Sequence, residues 1–167
     1  MSEVTIRSDL APGDLGAIVR LHGIIYASEY GLDTTFEPYV ARPLADFVLA
    51  GPGAGRLWLA EQHGQIAGSL AIVRTAGAHE AQLCWFLIVP GCRGTGLGRR
   101  LMDAAMAYCT TEALSRVFLW SLGELDAALH LYRAYGFAET ERATSHLWGR
   151  RRTEIRMDLA LDPRGHG

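Results

Sequence analysis

The stretch Arg93-Gly94-Thr95-Gly96-Leu97-Gly98 lies between an apolar run at 83–89 and an amphipathic run at 97–108. This order predicts a strand, a glycine turn and a helix. Such a turn leaves several peptide N–H groups without partners at the positive end of the helix dipole. Three glycines at alternate positions permit positive φ and close approach of a ligand, and they fit an ordinary strand-to-helix turn poorly. The stretch therefore predicts an anion site suited to a pyrophosphate.

Two common phosphate-binding motifs do not match this stretch. A P-loop requires Gly-Lys-Ser/Thr, whereas Gly98 is followed by Arg99 and Arg100. A dinucleotide-binding turn requires G-x-G-x-x-G in the first strand–helix unit, whereas the spacing here is G-x-G-x-G, beyond the middle of the chain. A nucleotide-binding protein is therefore disfavoured.

A third motif fits better. Arg93, Gly96 and Gly98 match Arg/Gln-x-x-Gly-x-Gly/Ala, and Val89-Pro90 lies just ahead of it. Downstream, Ala128-Leu129-His130-Leu131-Tyr132-Arg133-Ala134-Tyr135-Gly136-Phe137 is similar to Ala-x-x-Leu-Tyr-x-x-x-Gly-Phe. With both motifs at this separation, the chain resembles the GNAT superfamily of acyl-CoA-dependent N-acyltransferases.

Composition narrows the class of protein further. The 167 residues are 49% hydrophobic, enough for one domain with a sizeable core and no metal or disulfide. The net charge of −2 does not suggest nucleic-acid binding, and the basic run at 150–152 is interpreted as a solvated hairpin tip. Three cysteines (Cys84, Cys92 and Cys109) without C-x-x-C spacing indicate reduced thiols. Without a signal peptide or a long apolar span, we expect a cytoplasmic protein that binds neither nucleic acid nor membrane.

Hydrophobic periodicity predicts the order β-α-α-β-β-β-α-β-α-β-β, which is also the GNAT order. The predicted strands are 4–7, 57–61, 65–74, 83–89, 116–121, 137–147 and 153–161. The predicted helices run from a Ser8 or Asp9 cap to Gly31, over 36–50, over 97–108, and from a Glu124 or Asp126 cap to Gly136. We expect a single α/β domain at 1–162, with helices flanking a mixed central sheet, and a polar tail at 163–167.

The resemblance implies acetyl-CoA as cosubstrate, without a metal. The residues whose peptide groups would bind the pyrophosphate are Arg93, Gly94, Thr95, Gly96, Leu97, Gly98 and Arg99. Backbone groups of Phe86 and Ile88, on a strand that splays from its neighbour, would hold the pantetheine and the thioester carbonyl. The side chain of Arg99 or Arg100 would either add positive charge beside the phosphates or remain solvated. The Asn that the family carries near the start of its last helix is replaced by Leu125.

Tyr132 matches the family's general acid for the sulfur of coenzyme A. A hydroxyl near the sulfur can donate a proton to the thiolate as it forms. The alternative is a core aromatic, because Tyr132 also lies on the apolar stripe of its helix. Tyr135, one turn later, is the weaker candidate for the acid.

The general base is not identified by the sequence. Many family members carry an acid or His 11 or 9 residues before the Arg, where this chain has Gln82 and Cys84. Neither is a good base at neutral pH. Either a water chain leads to a distant acid or the amine arrives partly neutral. The candidates, each with a surface or structural role as the alternative, are Glu29, Glu37, Glu80 and His146.

The resemblance implies acetyl transfer to a primary amine of a small molecule or peptide. The alternative is a non-catalytic CoA-binding regulatory module, since the stretches 25–31, 119–121 and 146–149 resemble the acetyltransferase half of fusions with MarR-type regulators. Any DNA role would then come from a partner. Two acceptor types stay open, a cationic amine drawn by Glu29, Asp33 and Glu37, or a carboxylate held by Arg133, Arg142 and Arg150. Both a monomer and a homodimer are compatible with the sequence.

Overall fold

The computed structural model describes residues 3–77 and 79–162. Within these ranges one mixed sheet has the order β1-β2-β3-β4-β5-β7-β6, and only β4 and β5 run parallel as neighbours. The strands are β1 (Thr5–Arg7), β2 (Gly55–Gln62), β3 (Gln65–Arg74), β4 (Glu80–Ile88), β5 (Arg116–Leu122), β6 (Ala138–Leu147) and β7 (Arg150–Ala160). The helices are α1 (Asp14–Tyr30), α2 (Phe36–Ala50), α3 (Leu97–Thr111) and α4 (Asp126–Ala134). This confirms the predicted single α/β domain and its element order; the tail predicted at 163–167 lies outside the described residues.

Helices cover both faces of the sheet because its inner strands are apolar on both sides. Alternate residues of a strand point to opposite faces. Leu59 of β2 packs with Ile18 of α1 and Leu44 of α2 on one face. Its neighbour Trp58 packs with Leu101 of α3 on the other. Each such buried side chain stabilises the fold by about 1.5–3 kcal/mol, and β4 lies at the centre of the sheet between the two layers.

The start of α1 differs from the prediction. Neither Ser8 nor Asp9 caps it; the helix begins at Asp14, after Gly13 in the left-handed region at φ 94°. The Asp14 carboxylate accepts the Ala11 N–H at 2.7 Å and pairs with Arg7 at 2.7 Å. The negative charge of Asp14 lies in the first turn, where it stabilises the positive end of the helix dipole without capping the free N–H groups.

The last helix also lacks its predicted cap. Leu125 occupies the cap position of α4, without a side-chain hydrogen bond, and the helix ends at Ala134, two residues before Gly136. The Glu124 carboxylate is engaged elsewhere, with Arg150 at 2.5 Å and Arg152 at 2.6 Å.

The hairpin between β6 and β7 is tighter than predicted. Trp148 and Gly149, both at positive φ, form the turn, and Arg150 already pairs with Leu147. The basic run at 150–152 therefore belongs to β7, and its interpretation as a solvated tip is wrong for Arg152. That side chain is 4% exposed, and its guanidinium donates to the carbonyl of Leu147 at 3.0 Å.

Candidate active site

The glycine turn between β4 and α3 presents a row of unpaired backbone donors. Gly94 and Gly96 adopt φ of 73° and 86°, and Gly96 precedes the first residue of α3. The first helical bond runs from the Arg100 N–H to the Gly96 carbonyl at 3.1 Å. Within the described residues, no backbone acceptor meets the six N–H groups from Gly94 to Arg99. Donors of this kind at a helix start attract an anion.

The strand that leads to this turn parts from its parallel neighbour. In β4 only residues 80–82 pair with residues 116–118 of β5. Further along, the N–H of Val89 donates to the Ala67 carbonyl at 2.9 Å on the β3 side. Because backbone groups alternate in direction along a strand, those of Phe86 and Ile88 point to the β5 side, where the sheet is open.

A cleft of about 380 Å³ lies at this opening, and we call it the loop cleft. Seven of the nine predicted cofactor-binding residues line it, namely Phe86, Ile88, Arg93, Gly94, Gly96, Gly98 and Arg99. Thr95 and Leu97 are not among its lining residues. The Thr95 hydroxyl donates to the Cys92 carbonyl at 2.6 Å, and Leu97 is 2% exposed in the core. Only the peptide groups of these two residues remain for a ligand.

Arg93 is held at the mouth of the loop cleft. Its guanidinium makes two hydrogen bonds to the Glu29 carboxylate, at 2.8 and 2.6 Å, and a third to the Ile88 carbonyl at 3.2 Å. The hydrogen bond from Arg93 lowers the pKa of Glu29, which makes this carboxylate a poor base. Arg99 lines the cleft, whereas Arg100 donates to the Val4 carbonyl at 3.1 Å, beside β1.

Tyr132, within α4, and Tyr135, just after its last residue, lie in different surroundings. Tyr132 is 6% exposed and packs edge-on against Phe86, with ring centroids 5.9 Å apart. Burial raises the pKa of Tyr132 well above its usual value, so the phenol keeps its proton at neutral pH. Tyr135 instead directs its hydroxyl to the Asp103 carboxylate at 2.6 Å and lines neither the loop cleft nor the cavity beside it.

That second cavity, of about 310 Å³, adjoins the loop cleft and shares Tyr26, Phe86, Leu125 and Ala128 with it. We call it the aromatic pocket because its walls include Tyr26, Phe36, Tyr39, Trp85, Trp120 and Trp148. Tyr132 and the two non-basic positions predicted from the sequence, Gln82 and Cys84, line it as well. Burial raises the pKa of the Cys84 thiol to about 12, so it offers no base at neutral pH.

Of the acids and the histidine that the sequence suggested as bases, none lines the aromatic pocket. Glu37 and His146 are exposed, and the Glu80 carboxylate accepts a hydrogen bond from Thr75 at 3.0 Å, at the opposite end of β4 from the glycine turn. The pocket does contain Glu154, which the sequence analysis missed. Desolvation raises the pKa of this carboxylate. Only the register of β7 against β5, with Glu154 opposite Leu122, reveals its position.

The arginines suggested for a carboxylate-bearing acceptor lie elsewhere. Arg133, Arg142 and Arg150 line a separate surface groove rather than either cavity. Arg142 pairs with Glu139 at 2.7 Å, and Arg150 pairs with Glu124. No residue of this arginine-lined groove contributes to the aromatic pocket.

Comparisons with known proteins agree with this geometry. The sequence model of the acetyltransferase (GNAT) family matches residues 24–137. An uncharacterised N-acetyltransferase of Schizosaccharomyces pombe is 29% identical over 120 residues, 70% of this chain and 72% of that protein. The uncharacterised N-acetyltransferase YjgM of Escherichia coli is 31% identical over 124 residues, with the same coverage. The crystal structure of an acetyltransferase from Streptococcus agalactiae superposes with a TM-score of 0.76 at 20% identity, over 95% of this chain and 98% of the other.

Proposed function

The chain belongs to the acetyltransferase (GNAT) family, and on that premise we propose that it transfers the acetyl group of acetyl-CoA to a primary amine of a small molecule or peptide. The observation that carries this proposal is the row of six unpaired N–H groups beside the opening between β4 and β5. A diphosphate satisfies these donors and meets the positive end of the α3 dipole. A neutral ligand would leave the dipole uncompensated.

In this proposal the loop cleft holds the cosubstrate along its length. The peptide groups from Gly94 to Arg99 bind the diphosphate, with the charge of Arg99 nearby. The open backbone groups of Phe86 and the N–H of Ile88 hold the pantetheine and the thioester carbonyl, since the Ile88 carbonyl already accepts a hydrogen bond from Arg93. Because these contacts come from the backbone, side-chain changes at 86 and 88 act on the shape of the cleft and not on its hydrogen bonds.

Acetyl transfer then needs few side chains. The neutral amine attacks the acyl carbon, a C–N bond forms, and the C–S bond breaks as the carbonyl oxygen is stabilised by backbone N–H groups. Tyr132, which packs against Phe86 and lines the aromatic pocket, donates its phenolic proton to the leaving sulfur and recovers it from solvent. The proton that the amine nitrogen loses passes to a base in the aromatic pocket.

A non-catalytic CoA-binding module is not favoured. Gln82 and Cys84 leave the family's usual positions without a base, which would be compatible with that alternative. The carboxylate of Glu154 in the aromatic pocket supplies a titratable group from another strand. The likeness to regulator fusions, the cytoplasmic location and the oligomeric state stay predictions.

Gly98 offers a direct test of the proposed cosubstrate site. A Cβ at this position would lie 3.2 Å from Ile88 and 3.3 Å from Leu131, so Gly98→Val projects methyl groups into the loop cleft. We expect the KM for acetyl-CoA to rise by roughly 10-fold or more in a thiol-release assay with excess amine. Gly91→Val is the matched control, since a Cβ there meets nothing within 4 Å. An unchanged KM in a folded Gly98→Val chain, or equal effects of both substitutions, would refute the proposed site.

A further inference from the structure

We propose that the aromatic pocket is the acceptor site, and that it takes a primary amine with a compact apolar body whose ammonium group meets Glu154. This inference rests on the proposed function and adds the class of acceptor to it. Glu154 is then the catalytic base that removes the proton from the ammonium group.

The charge of the pocket selects a cation. Among the described residues that line it, Glu154 is an acid and none is Arg or Lys. His22 also lines it, but burial lowers its pKa to about 4, so it is neutral at physiological pH. A buried charge requires a partner. An alkylammonium finds an anionic partner in Glu154, whereas the carboxylate of an amino acid finds no cation.

The aromatic walls of the pocket favour an acceptor with a compact apolar body. Phe36, Tyr39 and Trp148 pack against one another, with ring centroids 4.9 to 6.0 Å apart. Aromatic faces attract cations and bury apolar groups. The turn that carries Trp148 is fixed by a hydrogen bond from the Asp33 N–H to the Trp148 carbonyl at 3.0 Å, so the wall is preformed. A volume of about 310 Å³ lies at the lower end of ligand pockets and suits a compact molecule.

A buried hydroxyl gives independent support for a ligand here. Ser121 is 9% exposed and lines the aromatic pocket, and its Oγ has no hydrogen-bond partner within the described residues. An unsatisfied buried hydroxyl costs about 1–3 kcal/mol and calls for a partner that the chain itself does not supply. The ammonium group of the acceptor has three N–H donors and supplies this partner.

Glu154 is suited to the proton transfer. No hydrogen bond or ion pair to its side chain occurs within residues 3–77 and 79–162, whereas its neighbour Arg156 is engaged by Asp158 at 2.9 Å. The titratable groups facing it from other elements, Tyr39 on α2 and Cys84 on β4, are uncharged at neutral pH. The carboxylate accepts one proton from the ammonium and releases it to solvent, and the neutral amine attacks the thioester. The second proton that the nitrogen loses, as the C–S bond breaks, passes to the same carboxylate.

The test compares three amines that differ in body and in charge. 2-Phenylethylamine has an aromatic body and one ammonium, phenylalanine adds a carboxylate, and 1,4-diaminobutane replaces the aromatic body with a second ammonium. We expect kcat/KM for 2-phenylethylamine to exceed both others by roughly 100-fold or more, because the pocket offers no cation to the carboxylate of phenylalanine and the diamine lacks the apolar body that the walls bury. Equal or better use of phenylalanine or the diamine would overturn the inference.

Glu154→Gln tests the base itself. We expect kcat/KM for 2-phenylethylamine to fall by roughly 10²–10⁴-fold, while calorimetry gives an unchanged Kd for acetyl-CoA. Glu141→Gln, an exposed glutamate on β6, is the matched control and should retain full activity. Full activity of Glu154→Gln would show that Glu154 is not the base.

If that variant does not fold, the three-amine comparison on the unaltered chain still decides the acceptor class. If acetyl-CoA does not bind the unaltered chain, the proposed function fails; if it binds and only other amines are acetylated, this inference alone fails.

Discussion

Tyr132→Phe separates the chemical role of Tyr132 from its packing role. The substitution removes one hydroxyl and keeps the ring contacts with Phe86 and Phe137, whose centroids lie 5.9 and 6.0 Å away. Within residues 3–77 and 79–162 this hydroxyl has no hydrogen-bond partner, so the change in the free energy of unfolding should stay within about 0.5 kcal/mol. Removal of the whole side chain would instead cost about 3–5 kcal/mol.

The expected effect on rate is much larger. Loss of a general acid costs roughly 10²–10⁴-fold, equivalent to about 2.7–5.4 kcal/mol of the activation barrier. The effect should fall on kcat, because the thiolate that the phenol protonates forms only as the C–S bond breaks. Release of free coenzyme A with saturating amine measures this rate, and calorimetry checks that the Kd for acetyl-CoA is unchanged.

Tyr135→Phe is the matched control. Its hydroxyl bonds to the Asp103 carboxylate at 2.6 Å and to the Arg99 carbonyl at 3.1 Å, and Tyr135 itself lines neither cavity. The control should therefore lose about 1 kcal/mol of stability and keep its rate. A Tyr132→Phe chain within about threefold of the original kcat, or a Tyr135→Phe chain with the larger loss of rate, would refute the assignment of the acid.

Three further predictions concern stability. His22 is 3% exposed, and burial lowers its pKa from 6.5 to about 4, so its contribution to the free energy of unfolding is complete above pH 6.5 and is lost as the pH falls toward 4. Urea titrations should show that the free energy of unfolding falls by up to about 3 kcal/mol over this range, and that His22→Gln abolishes this loss. An equal loss in the variant would contradict the prediction. Leu101→Ala, at a fully buried position against the sheet, should cost about 2–5 kcal/mol in the same assay, and a loss under about 1 kcal/mol would show that the site collapses around the cavity. Ser121→Ala should raise Tm because it removes an unsatisfied buried hydroxyl, whereas a lower Tm would reveal a partner for that group.

Where the signals are local, the sequence predicts the fold well. The bounds of α2 at Phe36–Ala50 and of β3 at Gln65–Arg74 agree with the structure. Both elements are bounded by turn residues, such as Gly51-Pro52 and His63-Gly64, that act on adjacent backbone. The glycine turn is predictable for the same reason, because all its donors come from one contiguous stretch.

The aromatic pocket is not predictable in this way. Tyr26 and Glu154 meet there although 128 positions separate them in the chain. Glu154 reaches the pocket only because β7 lies between β5 and β6, an order that no local pattern dictates. The predicted cap of α1 is wrong for a related reason. The helix start depends on the ion pair of Asp14 with Arg7, and the position of Arg7 depends on the pairing of β1 with β2.

The most direct test of this account is a crystal structure of the chain with acetyl-CoA bound. The account predicts diphosphate oxygens about 2.7–3.2 Å from peptide nitrogens between Gly94 and Arg99, with the thioester between the parted strands. A diphosphate held instead in the arginine-lined groove beside Arg150, with the glycine turn left to solvent, would contradict it.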